Sequence, residues 1–142
     1  MKELKKSVSS SLPSLVIGTG NRSELLAGYC TQYGDSACAF EPIGHLYKTE
    51  IKVLAKQLNL PEHIINKVPS ADLWIDQTDE GELGLSYEEL DSIYYQYFEL
   101  GKQCSQIEGV SEEKIKRALD LYKGSFFKRN LPPILPITNN KE

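Results

Sequence analysis

One glycine-rich stretch, GTGNRSELLAGY at residues 18–29, combines residue types that could bind a phosphate and a metal ion. A glycine turn between a buried strand and a helix places backbone N–H groups and a positive dipole end together, where anionic ligands bind. Thr19 could add a hydroxyl, and Glu24 could bind a magnesium ion carried by a nucleotide. The alternative is local, because Asn21 is a good N-cap and Glu24 would complete a capping box. The stretch lacks the full GxGxxG pattern and the Walker lysine, so both interpretations stay open.

Two residues farther along could face the same phosphates. Lys48 falls in the first turn of a predicted helix, where a cation opposes the helix dipole unless a phosphate is near; the alternative is a solvated lysine. Ser70 could offer its hydroxyl to a phosphate or cap a short turn. Trp74 is interpreted as a core residue, and the acidic residues at 76–82 as a solvated face, since their spacing is not that of an EF-hand.

Short elements must position these residues. The apolar run at 15–19 predicts a fully buried strand, because its apolar residues continue without alternation. A helix begins at Arg22, with Gly34 placed to terminate it. A second strand is possible at 37–41, stopped by Pro42.

The rest of the chain is predicted to be helical, apart from one long loop. Apolar spacing at 46–58 predicts an amphipathic helix, and Pro61 opens a short helix to about residue 67. Residues 68–85 show no period and are predicted to be a loop. A helix capped by Ser86 and Glu89 runs to Gly101, and a last helix begins at Ser111, with Phe126 on its apolar face; residues 135–142 are predicted to be a disordered tail.

Length and composition indicate one domain over residues 1–142. Apolar residues make up 40% and charged residues 25%, and no apolar run approaches the length of a membrane helix. The net charge is −4, with scattered Lys and Arg, which argues against a nucleic acid partner. The three cysteines are interpreted as reduced core residues of a cytoplasmic protein. One or two parallel strands beside about five helices suggest part of a larger α/β fold, because parallel strands need neighbours on both edges.

Four segments together form a recognisable pattern: VIGTGNRSELLAGYCTQYGD, PIGHLYKTEIKVLAKQLNLP, VPSADLWIDQTDEGELGLSYEELD and FKRNLPPI. In order and spacing they resemble the C-terminal half of ammonia-dependent NAD synthetases, and the similarity covers about residues 12–134. The resemblance implies an α/β, adenine-nucleotide α-hydrolase-like (Rossmann-like) fold, mostly helical in this chain, and a homodimer. It also implies NAD biosynthesis: the nicotinate carboxylate of deamido-NAD attacks the α-phosphate of ATP, pyrophosphate leaves, and ammonia then displaces AMP.

The resemblance assigns ligand roles by position and no catalytic residue. Glu24 matches the magnesium ligand, and the other matches are ATP-binding residues, Thr19, Lys48 and Ser70, and residues near the deamido-NAD, Asp35 and Lys128.

Departures from the family pattern predict that the chain alone is inactive. The SGGxDS loop that cradles pyrophosphate in the family has no counterpart, since the serine run at 9–11 has no glycines. Phe127 stands where the family commonly has histidine, and His45 replaces an acidic residue. The missing half could be another polypeptide. The alternative functions are a non-catalytic helical dimerisation fragment and a different ATP pyrophosphatase. The stretch PSADLWIDQTDEGELG disfavours the second alternative, because it resembles NAD synthetases in particular.

Overall fold

The computed structural model describes residues 14–135, so the predicted tail beyond residue 135 lies outside it. Within that range the chain is mostly helical. The helices are α1 Arg22–Ala27, α2 Lys48–Gln57, α3 Glu62–Ile65, α4 Asp79–Leu83, α5 Tyr87–Tyr94 and α6 Glu112–Gly124. A π-helical turn, Tyr95–Glu99, extends α5, and two short 3-10 turns, Cys104–Gln106 and Phe126–Arg129, flank α6. None of these helices is long and apolar enough to cross a bilayer.

The two predicted strands are reduced to a single parallel bridge between Ile17 and Phe40. Gly18 donates its N–H to the Phe40 carbonyl, and Ala39 donates to Val16, both at 2.8 Å. The prediction of a buried strand is wrong, because Ile17 is 56% exposed. Residues 14–135 supply no further strand to pair with the outer edges of this bridge, so its apolar side chains stay in contact with solvent.

Helix α1 ends at Gly28, and the predicted end at Gly34 is wrong. Gly28 has φ of 68°, and its N–H bonds the carbonyls of Glu24 and Leu25. A Cβ at this position would also lie 2.0 Å from Cβ of Ser125. Gly28 is therefore required both by its left-handed backbone and by the close approach of the segment after α6.

The remaining helix predictions are mostly confirmed. Helices α2, α3, α5 and α6 form where the periodicity placed them, and Ser86 with Glu89 makes the expected capping box. The predicted loop at 68–85 contains α4, a short helix capped by the Thr78 hydroxyl and ended by Gly84 at φ of 76°. The sequence predicts Phe126 on the apolar face of α6, but this residue falls in the turn after that helix and is 63% exposed.

The core is built around α5, which packs against α1, α2 and α6. The Tyr94 hydroxyl donates to the Ala118 carbonyl of α6 at 2.9 Å. Side chains of α5 that are completely buried are Tyr87, Leu90, Ile93 and Tyr94. The three cysteines are free thiols, as predicted, but Cys104 is exposed and the other two are only partly buried; Trp74 is 56% exposed, so these core assignments are wrong.

Candidate functional site

One cavity of about 950 Å³ brings the predicted site residues together. Other parts of its wall come from α2, α3 and the segment that carries Trp74. The predicted site residues on this wall are Thr19, Glu24, Asp35, Lys48, Ser70 and Lys128. Residues as distant in sequence as Thr19 and Lys128 therefore share one wall.

The glycine turn forms the capping box that its local pattern predicts. Asn21 accepts from the Glu24 N–H at 3.0 Å, and Glu24 Oε2 accepts from the Asn21 N–H at 3.2 Å. The Gly20 N–H is bound to Oε2 of Glu41 at 2.8 Å, and the Arg22 N–H to the Leu46 carbonyl. These N–H groups were expected to be free for a phosphate, and that expectation is wrong.

Glu41 supports the turn from behind, and sequence reasoning missed it. Its Oε1 accepts from the Cys38 thiol at 3.3 Å while its Oε2 holds Gly20. A Cβ at Gly18 would lie 2.3 Å from Glu41 Oε2 and 2.5 Å from the Cys38 sulfur. Glycine is thus needed at position 18 because the Glu41 and Cys38 side chains lie so close to its backbone. The one sequence signal for this contact is a glutamate that directly follows the second apolar segment.

Glu24 and Lys48 form an ion pair in the cavity wall. Lys48 Nζ lies 2.9 Å from Glu24 Oε1, and the two side chains are 23% and 17% exposed. The Lys48 ammonium also lies 5.1 Å from the centroid of the buried Tyr87 ring, within cation–π range. Lys48 is therefore not the solvated lysine of the alternative interpretation, and Glu24 serves the helix cap and the ion pair with different oxygens.

Asp91, on α5, sets the position of this pair. Its Oδ2 accepts from both the backbone N–H and the hydroxyl of Thr49 at 2.9 Å. Ser23 donates its hydroxyl to Asp91 Oδ1 and accepts the Lys48 N–H at 2.9 Å. Burial raises the pKa of the Asp91 carboxyl, and the hydrogen bonds from Ser23 and Thr49 lower it. Sequence reasoning missed this residue, although an aspartate beside the apolar positions of α5 is a readable signal.

Ser70 behaves as the local alternative predicts. Its hydroxyl accepts from the Asp72 N–H at 3.0 Å and so closes a tight turn. Asp72 follows with φ of 53°. The Ser70 side chain is half-buried and still lines the cavity, while Thr19 is exposed there.

Asp35 and Lys128 hold backbone groups around the end of α1. Asp35 accepts from the Thr31 N–H at 2.6 Å. Lys128 donates to the carbonyls of Gly28 and Cys30, both at 2.7 Å. Cationic groups at a helix C-terminus bind carbonyls that have no intrahelical partner, which gives Lys128 a structural role beside any ligand role.

The acidic residues at 76–82 are not simply a solvated face. Asp79 is 5% exposed and accepts from the Tyr87 hydroxyl through Oδ2 at 3.0 Å. Its other oxygen, Oδ1, is buried and has no hydrogen-bond partner among residues 14–135. Glu82 accepts from the Tyr29 hydroxyl and from Gln77 Nε2, the latter at 2.9 Å. The side chains of this group that line the cavity are Tyr29, Gln77, Asp79 and Glu82.

The donor set fits one particular kind of magnesium site. Residues 14–135 contain no cluster of three histidine, cysteine or acidic side chains that could hold a metal by themselves. Magnesium is commonly bound by one or two carboxylates together with substrate phosphates. The Glu24 carboxylate lies on the cavity wall and uses one oxygen to pair with Lys48. It fits the role of the one protein carboxylate in such a site.

Comparison with known proteins points to one family. A family model described as NAD synthase matches residues 3–132. The NH3-dependent NAD+ synthetase of Picrophilus torridus is 51% identical over 121 residues, which are 85% of this chain and 46% of that relative. The corresponding enzyme of Wolinella succinogenes is 49% identical over 125 residues, 87% of this chain and 49% of the relative.

Two solved structures resemble the fold. An NMN synthetase from Francisella tularensis has a TM-score of 0.71 and 38% identity, over 87% of this chain and 47% of that one. An NH3-dependent NAD synthetase from Campylobacter jejuni, in complex with nitrate, has a TM-score of 0.68 and 36% identity, over 95% and 51%. The chain spans about half the length of the curated relatives it matches.

Replacing Asp91 should loosen the junction of α1, α2 and α5. Asp91→Asn removes the charge and turns one acceptor into a donor facing another donor, so we expect a loss of about 2 kcal/mol in the free energy of unfolding, measured with urea. Asp120→Asn is the matched control, since Asp120 is exposed and pairs with Lys116 on α6. It should change stability by less than about 0.5 kcal/mol. Equal losses in the two variants would contradict the role of Asp91.

A methyl group at Gly18 should displace Glu41 and the Cys38 sulfur. We expect Gly18→Ala to destabilise the protein by about 1–3 kcal/mol through this overlap. Gly124→Ala is the control, because a Cβ there meets nothing within 4 Å in the last turn of α6 and should be neutral or slightly stabilising. Thermal unfolding followed by circular dichroism compares the two; a neutral Gly18→Ala would show that the turn has room to spare.

Proposed function

The chain belongs to the NAD synthase family, and on that premise we propose that its cavity binds ATP with magnesium for the amidation of deamido-NAD by ammonia. One observation carries the proposal: the six residues that match ligand positions of the family line a single cavity. The reaction proceeds in two steps. The nicotinate carboxylate attacks the α-phosphate of ATP with loss of pyrophosphate, and ammonia then attacks the adenylate with loss of AMP. In both steps, the protein mainly positions groups and stabilises charge.

The Glu24–Lys48 ion pair is the ligand-free form of the proposed ATP site. Each partner satisfies the other at 2.9 Å while no ligand is bound. With the nucleotide bound, Lys48 would face its phosphates and Glu24 would hold a magnesium ion, whose charge would offset that of the phosphates. Thr19 and Ser70 contribute hydroxyl groups to the same ligand.

Asp35 and Lys128 are proposed to contact deamido-NAD. A lysine ammonium has three N–H donors, and Lys128 uses two of them on the carbonyls of Gly28 and Cys30. The third donor is left for a ligand, while the carbonyls fix the position of the ammonium. Asp35 keeps one carboxylate oxygen beyond the one that accepts from Thr31.

The remainder of the ATP site is proposed to come from outside residues 14–135. The N–H groups of Gly18, Gly20 and Asn21 are already bound within the protein, which supports a pyrophosphate cradle supplied from elsewhere. Leu15, Val16 and Ile17 are more than half exposed, and a partner that extends the parallel pairing would bury them. The partner is a polypeptide equivalent to the other half of the relatives, or a second copy of the chain. A cytoplasmic location is part of the same proposal.

The alternative of a non-catalytic dimerisation fragment rests on the same exposed apolar residues. Light scattering separates the two, because a fragment whose role is dimerisation must form dimers without nucleotide or a second polypeptide. The family match disfavours a different ATP pyrophosphatase.

Isothermal titration with ATP tests the site directly. We expect magnesium-dependent binding, at least tenfold weaker in Lys48→Met because the phosphates lose a buried cation. Glu24→Gln should bind ATP but lose most of the enhancement by magnesium. Lys116→Met is the matched control, since Lys116 is 80% exposed on α6 and away from the cavity. Undetectable binding by the unmodified chain, or equal affinity in all four proteins, would overturn the proposal.

The chain alone should not form NAD at a measurable rate. Each missing donor to a developing oxyanion is worth about 3 kcal/mol, so the loss of a pyrophosphate cradle removes several orders of magnitude in rate. The assay contains ATP, magnesium, ammonium and deamido-NAD with purified chain. Robust NAD formation would mean that the described half holds a sufficient site.

A further inference from the structure

Two adjacent cations, Lys128 and Arg129, leave the turn Phe126–Arg129 in different directions. Three residues make one turn of a 3-10 helix, so neighbouring side chains diverge by about 120°. Lys128 lines the cavity and donates to the carbonyls of Gly28 and Cys30. The lining of that cavity does not include Arg129, whose guanidinium lies instead against the ends of α1 and α6.

The Arg129 guanidinium joins the C-terminal ends of these two helices. Its Nη1 lies 2.9 Å from the carbonyl oxygen of Leu26 and 3.1 Å from that of Leu25, both in the last turn of α1. Its Nη2 donates to the Tyr122 carbonyl of α6, and its Cζ lies 4.3 Å from the centroid of the Tyr122 ring. The last carbonyls of a helix have no intrahelical partner, so a planar cation with several donors is favoured between two such ends.

Ser125 links Arg129 to the backbone of Lys128. The Ser125 hydroxyl accepts from Arg129 Nη1 and donates to the Leu121 carbonyl, both at 2.7 Å. Ser125 is 6% exposed, and a Cβ on Gly28 would lie 2.0 Å from its own Cβ. The Lys128 N–H bonds the Ser125 carbonyl at 3.0 Å. The residue that Arg129 holds on one side therefore holds Lys128 on the other.

The place of the Lys128 ammonium depends on this connection. A lysine side chain is flexible, and the ordering of its four-carbon stem has an entropic cost. The two carbonyls that order it belong to the segment that follows α1, whereas its backbone belongs to the turn that follows α6. Arg129 binds both helix ends, so it sets the distance between the Lys128 backbone and those carbonyls.

We propose that Arg129 is a positioning residue, which holds the Lys128 ammonium in the cavity by fixing the turn Phe126–Arg129 to the end of α1. The inference rests on the proposed function for the ligand of Lys128, deamido-NAD. The position of the ammonium is a property of the chain without ligand. Arg129 acts through Lys128 and not on the ligand itself, because its guanidinium donates to protein carbonyls away from the cavity lining.

Amine labelling tests the position of Lys128 without any ligand. The folded chain is treated with limiting acetic anhydride, and mass spectrometry of its peptides gives the rate of acetylation at each lysine. An ammonium that donates to carbonyls must leave them before it can react. In Arg129→Gln, which lacks the charge and reach of the guanidinium, we expect Lys128 to react about tenfold faster, the factor given by the loss of one hydrogen bond to a charged group. Lys116, whose side chain is 80% exposed, is the internal standard and should keep its rate.

Arg117→Gln is the matched control for a purely structural effect. Arg117 also donates to carbonyls at the end of a helix, those of Glu82 and Leu83 in α4. Its replacement removes the same kind of interaction elsewhere in the molecule, so the labelling rate of Lys128 should stay that of the unmodified chain. An equal rise in both variants, or no rise in Arg129→Gln, overturns the inference.

Ser125→Ala covers the case in which Arg129→Gln does not fold. It removes one acceptor of the Arg129 guanidinium and leaves both cations in place. We expect Lys128 to react about threefold faster in this variant, because a single neutral acceptor is lost. An unchanged rate at Lys128 in Ser125→Ala would then overturn the inference.

Titration with deamido-NAD separates this inference from the proposed function. Because the effect passes through the Lys128 ammonium, we expect Arg129→Gln to weaken binding about fivefold in the otherwise unmodified chain and not to weaken it further beside Lys128→Met. Additive losses in the double variant would mean that Arg129 acts independently, which overturns the inference. Undetectable binding by the unmodified chain would remove the proposed contact with deamido-NAD, and the labelling rates would still decide the role of Arg129.

Discussion

The buried carboxylate of Asp91 is the interaction on which the arrangement of the cavity depends. The first N–H groups of a helix have no intrahelical partner, and in α2 two of them are satisfied from other helices. Thr49 donates to Asp91 on α5, and Lys48 donates to the hydroxyl of Ser23 on α1, which itself donates to Asp91. A carboxylate removed from water needs such donors and is also favoured at a helix N-terminus. Because Ser23 and Glu24 are adjacent, satisfying Asp91 brings Glu24 and Lys48 into contact.

Local signals predict the helices well, whereas features that depend on distant residues cannot be read from them. The capping box of Ser86 and Glu89 and the periodicity of α6 are contained within a few residues, and both helices form as expected. Gly28 ends α1 with a left-handed backbone, and part of the reason that glycine is required there is Ser125, almost a hundred residues later, which leaves no room for a side chain. The apolar run at 15–19 predicts a buried Ile17 because such a run is typical of a parallel strand with a neighbouring strand on each side. Residues 14–135 do not contain both neighbouring strands, so Ile17 is exposed. The shared cavity of Thr19 and Lys128 likewise became predictable only through the family resemblance.

The glycine turn shows that a capping box and a ligand site are compatible. A carboxylate has two oxygens, and Glu24 gives one to the Asn21 N–H and the other to Lys48. The capping bond fixes the Glu24 side chain on which the proposed ligand site depends, so the two interpretations of the turn are compatible. What the local pattern could not indicate is Glu41, whose carboxylate already occupies the Gly20 N–H. The N–H groups of Gly20, Asn21 and Arg22 at the start of α1 are therefore bound within the protein, and in the proposed site the phosphates would be held by Lys48 and the hydroxyl groups.

The charges around the cavity support the proposal that metal and nucleotide bind together. Lys52 and Lys67 pair with Glu88 and Asp72 on exposed surface, where such pairs are worth at most about 1 kcal/mol and exchange easily. The Glu24–Lys48 pair is different, because both side chains are largely buried. Moving Lys48 to a phosphate would leave the buried Glu24 carboxylate without its cation, which is unfavourable. The carboxylate would also lie close to the negative charge of the phosphates, and the two would repel each other. A divalent cation that arrives with the phosphates would remove both penalties, so the proposed site would couple the affinity for ATP to the affinity for magnesium through one ion pair.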